Sequence, residues 1–328
     1  MSRIVYLNGE FVPEKEAKIS IFDSALMFGD MVFEMTRSFN KKQFKLVDHL
    51  VRLYNGIKIL QIPIEMTIKE MEQACYETIE KNDPIFEKHD EHRLMINVSR
   101  GPLGIYAPIF DGNMQPTIVI ADFPLKWTVA YMGDLFDTGI NAVITSQRAI
   151  PAQLSEPKIK NRSRIHLQMA NIEVSNWKGK AERNWALLLD PDGFVAEGTG
   201  DNFFIVKDGV VMTPEGRNIL RGISRQYIFE LCKQLQIKCV EKNIETYDVY
   251  TADEAFMSGT PFCMLPVTEL NCVDIGDGKM GKITKTIIDK WSENVGLDII
   301  QQIKDYQKEC CTSHNDAPTP YQFKKKIK

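Results

Sequence analysis

Apolar positions along the chain recur in two periods. Between residues 48 and 60, Leu50, Leu53, Ile57 and Leu60 fall at helical spacing, and between 67 and 81 Met71, Cys75 and Ile79 share one face. Residues 94–98 and 116–121 are mostly apolar runs of strand length and read as buried strands. The opening Ile4-Val5-Tyr6-Leu7, then Asn8-Gly9, then Phe11-Val12 predicts a β-hairpin with a tight primed turn. The N-terminus therefore reads as part of the fold and not as a leader. These elements predict an α+β domain over residues 1–123, followed by a linker over 124–134.

A larger domain is predicted over 135–306. Residues 141–145 and 185–189 are strand-like, and 162–178 between them read as a helix. Asp190-Pro191-Asp192-Gly193 has the composition of a turn. Residues 202–206 and 210–213 predict a hairpin, 224–235 a helix, 255–258 a buried strand and 283–295 a late helix. The tail over 307–328 is polar, ends in lysines and has no period, so it reads as disordered or loosely docked.

Composition narrows the function. The 328 residues carry a net charge of −4 with both signs interspersed, so no overall field would attract nucleic acid. No stretch approaches the roughly 20 apolar residues of a membrane helix. The seven cysteines are odd in number and form no CxxC pair, which argues against a disulfide framework or zinc site and for a reducing, cytoplasmic setting. His89 and His92 form an HxxH pair in a charged stretch with no third ligand nearby. They read as surface residues, and no metal is expected.

Four local features stand out, each with an ordinary alternative. Lys160 precedes a helix, where most lysines are solvated. Glu197 precedes a glycine turn. Gly222-Ile223-Ser224 opens a helix, where a serine is usually an N-cap. Ser258-Gly259-Thr260 ends a buried strand, where small residues often mark a turn.

The ordered set is more specific than its parts. Phe28-Gly29-Asp30-Met31-Val32-Phe33-Glu34 is followed by Arg37, by His49-Leu50-Val51-Arg52-Leu53 and by Ile159-Lys160. Then come Glu197-Gly198-Thr199-Gly200-Asp201-Asn202, Leu220-Arg221-Gly222-Ile223-Ser224-Arg225 and Ser258-Gly259-Thr260. In this order the chain resembles class IV (fold type IV) aminotransferases of the branched-chain and D-amino-acid type, from about Val5 to Ile300.

The resemblance implies a two-domain fold, the larger domain built on a β-barrel-like core flanked by helices, with pyridoxal 5'-phosphate held between the domains. It implies Lys160 as the Schiff-base lysine, because that chemistry needs an amine able to lose its proton. It implies Glu197 beside the pyridine nitrogen and Leu220 on the ring face. Arg52, Gly222, Ile223, Ser224, Gly259 and Thr260 would hold the phosphate, a dianion suited to an arginine and a helix N-terminus. Lys158 is the competing lysine, but it is off the motif position.

The resemblance also implies ping-pong transamination between an amino acid, best a branched-chain L-amino acid, and a 2-oxo acid such as 2-oxoglutarate, by a homodimer. A D-amino-acid or primary-amine transaminase and a lyase similar to aminodeoxychorismate lyase are the alternatives. There are departures from the pattern. Ile165 replaces a tyrosine of the branched-chain enzymes. Pro261 follows Thr260 and has no N–H to offer a substrate carboxylate. Phe33 is the more branched-chain-like residue at its position. Carboxylate recognition is therefore expected from Arg37, Arg93 or Arg100.

Overall fold

In a computed structural model of the chain, residues 2–177 and 183–310 are described. The chain divides into two compact units, Met1–Leu125 with Ile159–Arg164, and Lys126–Lys158 with Ile165–Lys328. The first boundary falls within the stretch 124–134 expected as a linker, and Lys126–Val129 there is a short helix.

The first unit opens with the hairpin of β1 (Ile4–Leu7) and β2 (Glu10–Pro13). Asn8 at φ 51° and Gly9 at φ 97° supply the two left-handed residues that a primed turn requires. There follow α1 (Ser24–Phe28), β3 (Met31–Met35), β4 (Ser38–Phe39), β5 (Lys42–Gln43), α2 (Leu46–Leu60), α3 (Ile68–Asn82), β6 (His92–Ser99) and β7 (Thr117–Pro124). α3 starts at a capping box in which Thr67 and Glu70 satisfy each other's backbone N–H groups.

Strands pair in the order β2-β1-β7-β6-β3, all antiparallel. α2 and α3 cover one face, burying Leu50, Leu53 and Met71 against Val32, Leu94 and Ile96. Each such side chain contributes roughly 1.5–3 kcal/mol by leaving water. Strand alternation sends the intervening residues to the opposite face, where register places Phe33 beside Asn97 and Met35 beside Met95.

In the second unit, α4 (Lys126–Val129) and α5 (Leu135–Thr138) lead to β8 (Ile140–Arg148), α6 (Ile165–Ser175), β9 (Asn184–Leu189), β10 (Val195–Gly198), β11 (Asn202–Lys207) and β12 (Val210–Thr213). Then come α7 (Ile223–Gln234), β13 (Cys239–Glu241), α8 (Thr246–Tyr250), β14 (Glu254–Gly259), β15 (Cys263–Leu270), β16 (Val273–Asp274), α9 (Lys282–Val295) and α10 (Ile299–Cys310). Six strands close a ring: β8 pairs with β9, β9 with β10, β10 with β11, β11 with β14, β14 with β15, and β15 with β8. This is the barrel-like core expected. Closure removes the free edges that an open sheet would expose. α6 packs on β8 and β9, while α7 and α9 pack on β14.

Three expectations change in detail. The helix expected from 162 begins at Ile165. Residues 161–164 are irregular instead, because Asn161 bridges to Val32, the Arg162 N–H donates to the Met31 carbonyl and the Arg164 N–H turns back to the Arg162 carbonyl. The stretch from 307 is still helical to Cys310, and 311–328 lie outside the described residues. His92 is a correction. Only His89 is exposed, with 59% of its side chain accessible, while the His92 side chain is fully buried. His92 Nδ1 lies 2.8 Å from Asp122, its Nε2 lies 2.9 Å from Asp83, and its ring stacks on Phe86. β6 carries it inward, where flanking carboxylates replace water as its partners.

Candidate active site

The first unit holds Lys160 on the segment Ile159–Arg164, beside β3. The Phe33 N–H donates to the Lys160 carbonyl at 2.9 Å, which fixes the register. Lys160 Nζ lies 4.9 Å from the Phe33 ring centroid. Lys158, its rival, is turned to other work. Its Nζ pairs with Glu156 at 2.5 Å and donates to the Arg217 carbonyl at 2.9 Å.

Behind the sheet, Arg52 is held by Glu34. The Arg52 Nε–H and Nη2–H donate to the two Glu34 oxygens at 2.6 and 2.8 Å, using two of the five guanidinium hydrogens. His49 Nδ1 lies 2.7 Å from Glu34 Oε2. Burial alone would raise the Glu34 pKa, but Arg52 and then His49 outweigh it and hold the carboxyl well below the usual carboxylate range. Burial, partly opposed by Glu34, lowers the His49 pKa. Facing a carboxylate, which can only accept, His49 Nδ1 carries the hydrogen and donates to Glu34. In the sequence, Glu34 and His49 are only letters of a motif. Their roles depend on β3 and α2 packing together.

The three arginines expected to receive a carboxylate have separate surroundings. Arg37 is 1% exposed, stacks 3.9 Å over Phe39 and donates from Nε to the Ser38 carbonyl. Arg93 is buried near Met35 and Phe123. Arg100 pairs with Asp30 at 2.7 Å and donates to the Leu60 and Gln61 carbonyls at the end of α2.

In the second unit Glu197 ends β10 opposite Asn202 of β11. Its carboxylate accepts the Leu220 N–H at 3.1 Å and Asn202 Nδ2–H at 3.0 Å. Asn202 also donates to the Leu220 carbonyl at 2.9 Å, so one amide fixes Glu197 and Leu220 together. α7 begins just beyond. Its N-cap is Gly222, not a serine, and provides no side-chain hydrogen bond. A Cβ at Gly222 would meet Asn202 Oδ1 at 2.2 Å, so the position admits only glycine without movement. The N–H groups of Ile223 and Ser224 thus open a helix end with no side-chain cap, an arrangement suited to an anion. Gly259 is similarly confined. A Cβ there would meet the Phe262 ring at 2.7 Å, beside the turn Thr260-Pro261 that joins β14 to β15.

Within the first unit, a lysine beside an aromatic ring has the chemistry to suit the amine-binding end of pyridoxal phosphate; within the second, a carboxylate oriented by two donors and a helix N-terminus without a side-chain cap have the chemistry to suit its pyridine and phosphate ends. The class IV aminotransferase family model matches residues 31–270.

This chain belongs to the class IV aminotransferases.

It is an aminotransferase, its cofactor is pyridoxal 5'-phosphate, and its substrates are an amino acid and a 2-oxo acid. It is 38% identical over 291 residues to a putative branched-chain-amino-acid aminotransferase of Methanocaldococcus jannaschii, covering 88% of this chain and 95% of the relative. It is 32% identical over 290 residues to the branched-chain-amino-acid aminotransferase of Escherichia coli, covering 86% and 90%. The crystal structure of the Escherichia coli branched-chain enzyme superposes with TM-score 0.78 at 27% identity, covering 90% of this chain and 95% of the other. The branched-chain aminotransferase of the archaeon Thermoproteus uzoniensis, solved with norvaline, superposes with TM-score 0.76 at 27% identity, covering 94% and 98%. The fold is therefore fold type IV.

Proposed function

We propose that this aminotransferase moves the amino group of branched-chain L-amino acids to a 2-oxo acid such as 2-oxoglutarate, in two half-reactions. The observation that carries the reading is the near full-length likeness to relatives named for that activity. Those names do not favour the D-amino-acid, amine or lyase alternatives. When bound, the cofactor supplies the electron sink for the negative charge that develops at the substrate's α-carbon.

The chain's own residues do the rest. Lys160 holds the cofactor through its amine, and its Nζ carries the proton to and from the α-carbon. Glu197, oriented by Leu220 and Asn202, keeps the pyridine nitrogen protonated. Leu220 packs against the ring. Arg52, pre-set by Glu34, holds the phosphate with Gly222, Ile223 and Ser224 at the α7 N-terminus and with Gly259 and Thr260. Phe33 and Pro261, which has no N–H to donate, line the substrate site.

A homodimer in the cytoplasm completes the reading. Ile21, Leu26, Phe28, Ile105 and Ile109 are all more than half exposed, on segments joined by the Phe22–Tyr106 ring contact and the Asp23–Pro102 bridge. An apolar surface of that kind supports an interface between two copies of the chain. Among the described residues, no helix is long and apolar enough to cross a membrane. The test is a donor panel of L-leucine, L-valine, D-alanine and a primary amine, read by the cofactor's visible spectrum. Conversion by L-leucine and L-valine is expected; conversion by D-alanine or the amine alone would refute the reading. Light scattering should give twice the monomer mass.

A further inference from the structure

Three cations share the ring of Phe33. Lys160 Nζ lies 4.9 Å from its centroid, the Arg162 guanidinium carbon 3.7 Å and the Arg164 guanidinium carbon 5.7 Å. All three come from the segment Ile159–Arg164, as alternate residues along it. Like charges this close repel one another, and an anion would relieve them.

Arg162 is the member placed to receive one. It is exposed, whereas Arg37 and Arg93 are buried and Arg100 is engaged by Asp30 and two carbonyls. Its only side-chain hydrogen bonds among the described residues run from Nε and Nη2 to Asn97 Oδ1, at 3.2 and 2.8 Å. That acceptor is a neutral amide, and among the described residues no carboxylate pairs with Arg162. Partial burial over the ring, and then the Arg164 charge, lower its pKa to about 10, so it remains a cation at neutral pH.

We propose that Arg162, held in plane by Asn97 and supported beneath by Phe33, binds the α-carboxylate of the amino-acid and 2-oxo-acid substrates. The inference rests on the proposed role of Lys160 at the reacting carbon. Lys160 Nζ and the Arg162 guanidinium carbon both lie within 4.9 Å of one ring centroid, so they are at most about 9 Å apart. A carboxylate two bonds from the substrate nitrogen, forked onto a guanidinium, needs about 6–7 Å between those cations. The distal carboxylate of a five-carbon diacid would need about 3–4 Å more, at or beyond that limit. The α-carboxylate is therefore the one that fits.

The test compares two unreactive ligands on the loaded enzyme by calorimetry: 4-methylpentanoate and its neutral amide, 4-methylpentanamide. Arg162→Ala should raise the Kd for the carboxylate at least 10-fold and change that for the amide less than 3-fold. Arg162→Lys should recover part of the loss. Thermal melting and bound-cofactor absorbance confirm that each variant is folded and loaded. If Arg162→Ala binds 4-methylpentanoate within 2-fold of wild type, or weakens both ligands equally, the proposal is overturned. The wild-type donor panel separates the two readings. If the unaltered enzyme converts no branched-chain amino acid while its carboxylate binding still depends on Arg162, the substrate reading fails and this one stands. If it converts them and Arg162→Ala has no effect, only this one fails.

Discussion

Glu34→Gln isolates the charge that organises Arg52. The replacement is nearly isosteric, so no cavity forms and the transfer term is small. What changes is electrostatic. Glu34 is fully buried and receives three short hydrogen bonds, two from Arg52 at 2.6 and 2.8 Å and one from His49 at 2.7 Å. A glutamine has one oxygen to accept with, and its amide then faces a donor. Each hydrogen bond to a charged group is worth about 1.5–3 kcal/mol, and removing one partner of a buried ion pair costs about 3–5 kcal/mol. Two features favour the lower end. The Arg52 side chain keeps 13% of its exposure, so water reaches it, and His49 can change tautomer to accept from the new amide. The expected loss is about 3 kcal/mol at pH 7, read by urea unfolding followed by circular dichroism, with weaker cofactor retention alongside. The sign with pH follows from the lowered Glu34 pKa. Its contribution is present above the unfolded carboxylate value of about 4.3 and is lost as pH falls through the folded value, so wild type and variant should converge in acid. A variant within about 0.5 kcal/mol of wild type at pH 7 would refute the reasoning.

Other expectations follow from the same geometry. Glu197→Gln should retain the cofactor but slow the L-leucine half-reaction by about 100-fold or more in stopped flow, the scale of other preorganised charge partners; an unchanged rate removes Glu197 from the ring nitrogen. Arg52→Ala should weaken cofactor affinity by about 10–100-fold, as measured by dialysis and reconstitution, with a smaller effect on the half-reaction at saturating cofactor. Equal affinity would sink that role. His92 is a pH-dependent stabiliser: burial opposes its charge, but Asp122 and Asp83 outweigh burial and raise its pKa. Its contribution is full below the unfolded value of about 6.5 and is lost as pH rises through the folded one. The melting temperature of wild type should accordingly fall from pH 6 to pH 9 by more than that of His92→Asn, and parallel curves would contradict the assignment.

Local structure is legible in the sequence wherever one element carries its own signal. The opening hairpin follows from Asn8-Gly9, whose left-handed backbone few other pairs adopt. α2 and α3 follow from their apolar spacing, and Thr67 with Glu70 marks the α3 start. Barrel closure is reached by resemblance alone, because β8 pairs in parallel with β9 and β15, strands distant in sequence with no shared local pattern. His92 misleads because an HxxH in a charged stretch reads as solvated; only β6, pairing with β7, reveals that Asp122 stands beside it. Arg162 falls in a stretch of helical pattern whose start is overridden by the pairing of Asn161 with β3. Its separation of two from Lys160, with both side chains over the Phe33 ring, is the signal that the sequence does carry.

The most direct test of the account is borohydride reduction of the yellow holoenzyme, followed by digestion and mass spectrometry. The phosphopyridoxyl group is expected on the peptide carrying Lys160, at Lys160 itself, with Lys160→Ala neither labelled nor able to turn over. Label on Lys158 or on any other lysine, or turnover by Lys160→Ala, would contradict it.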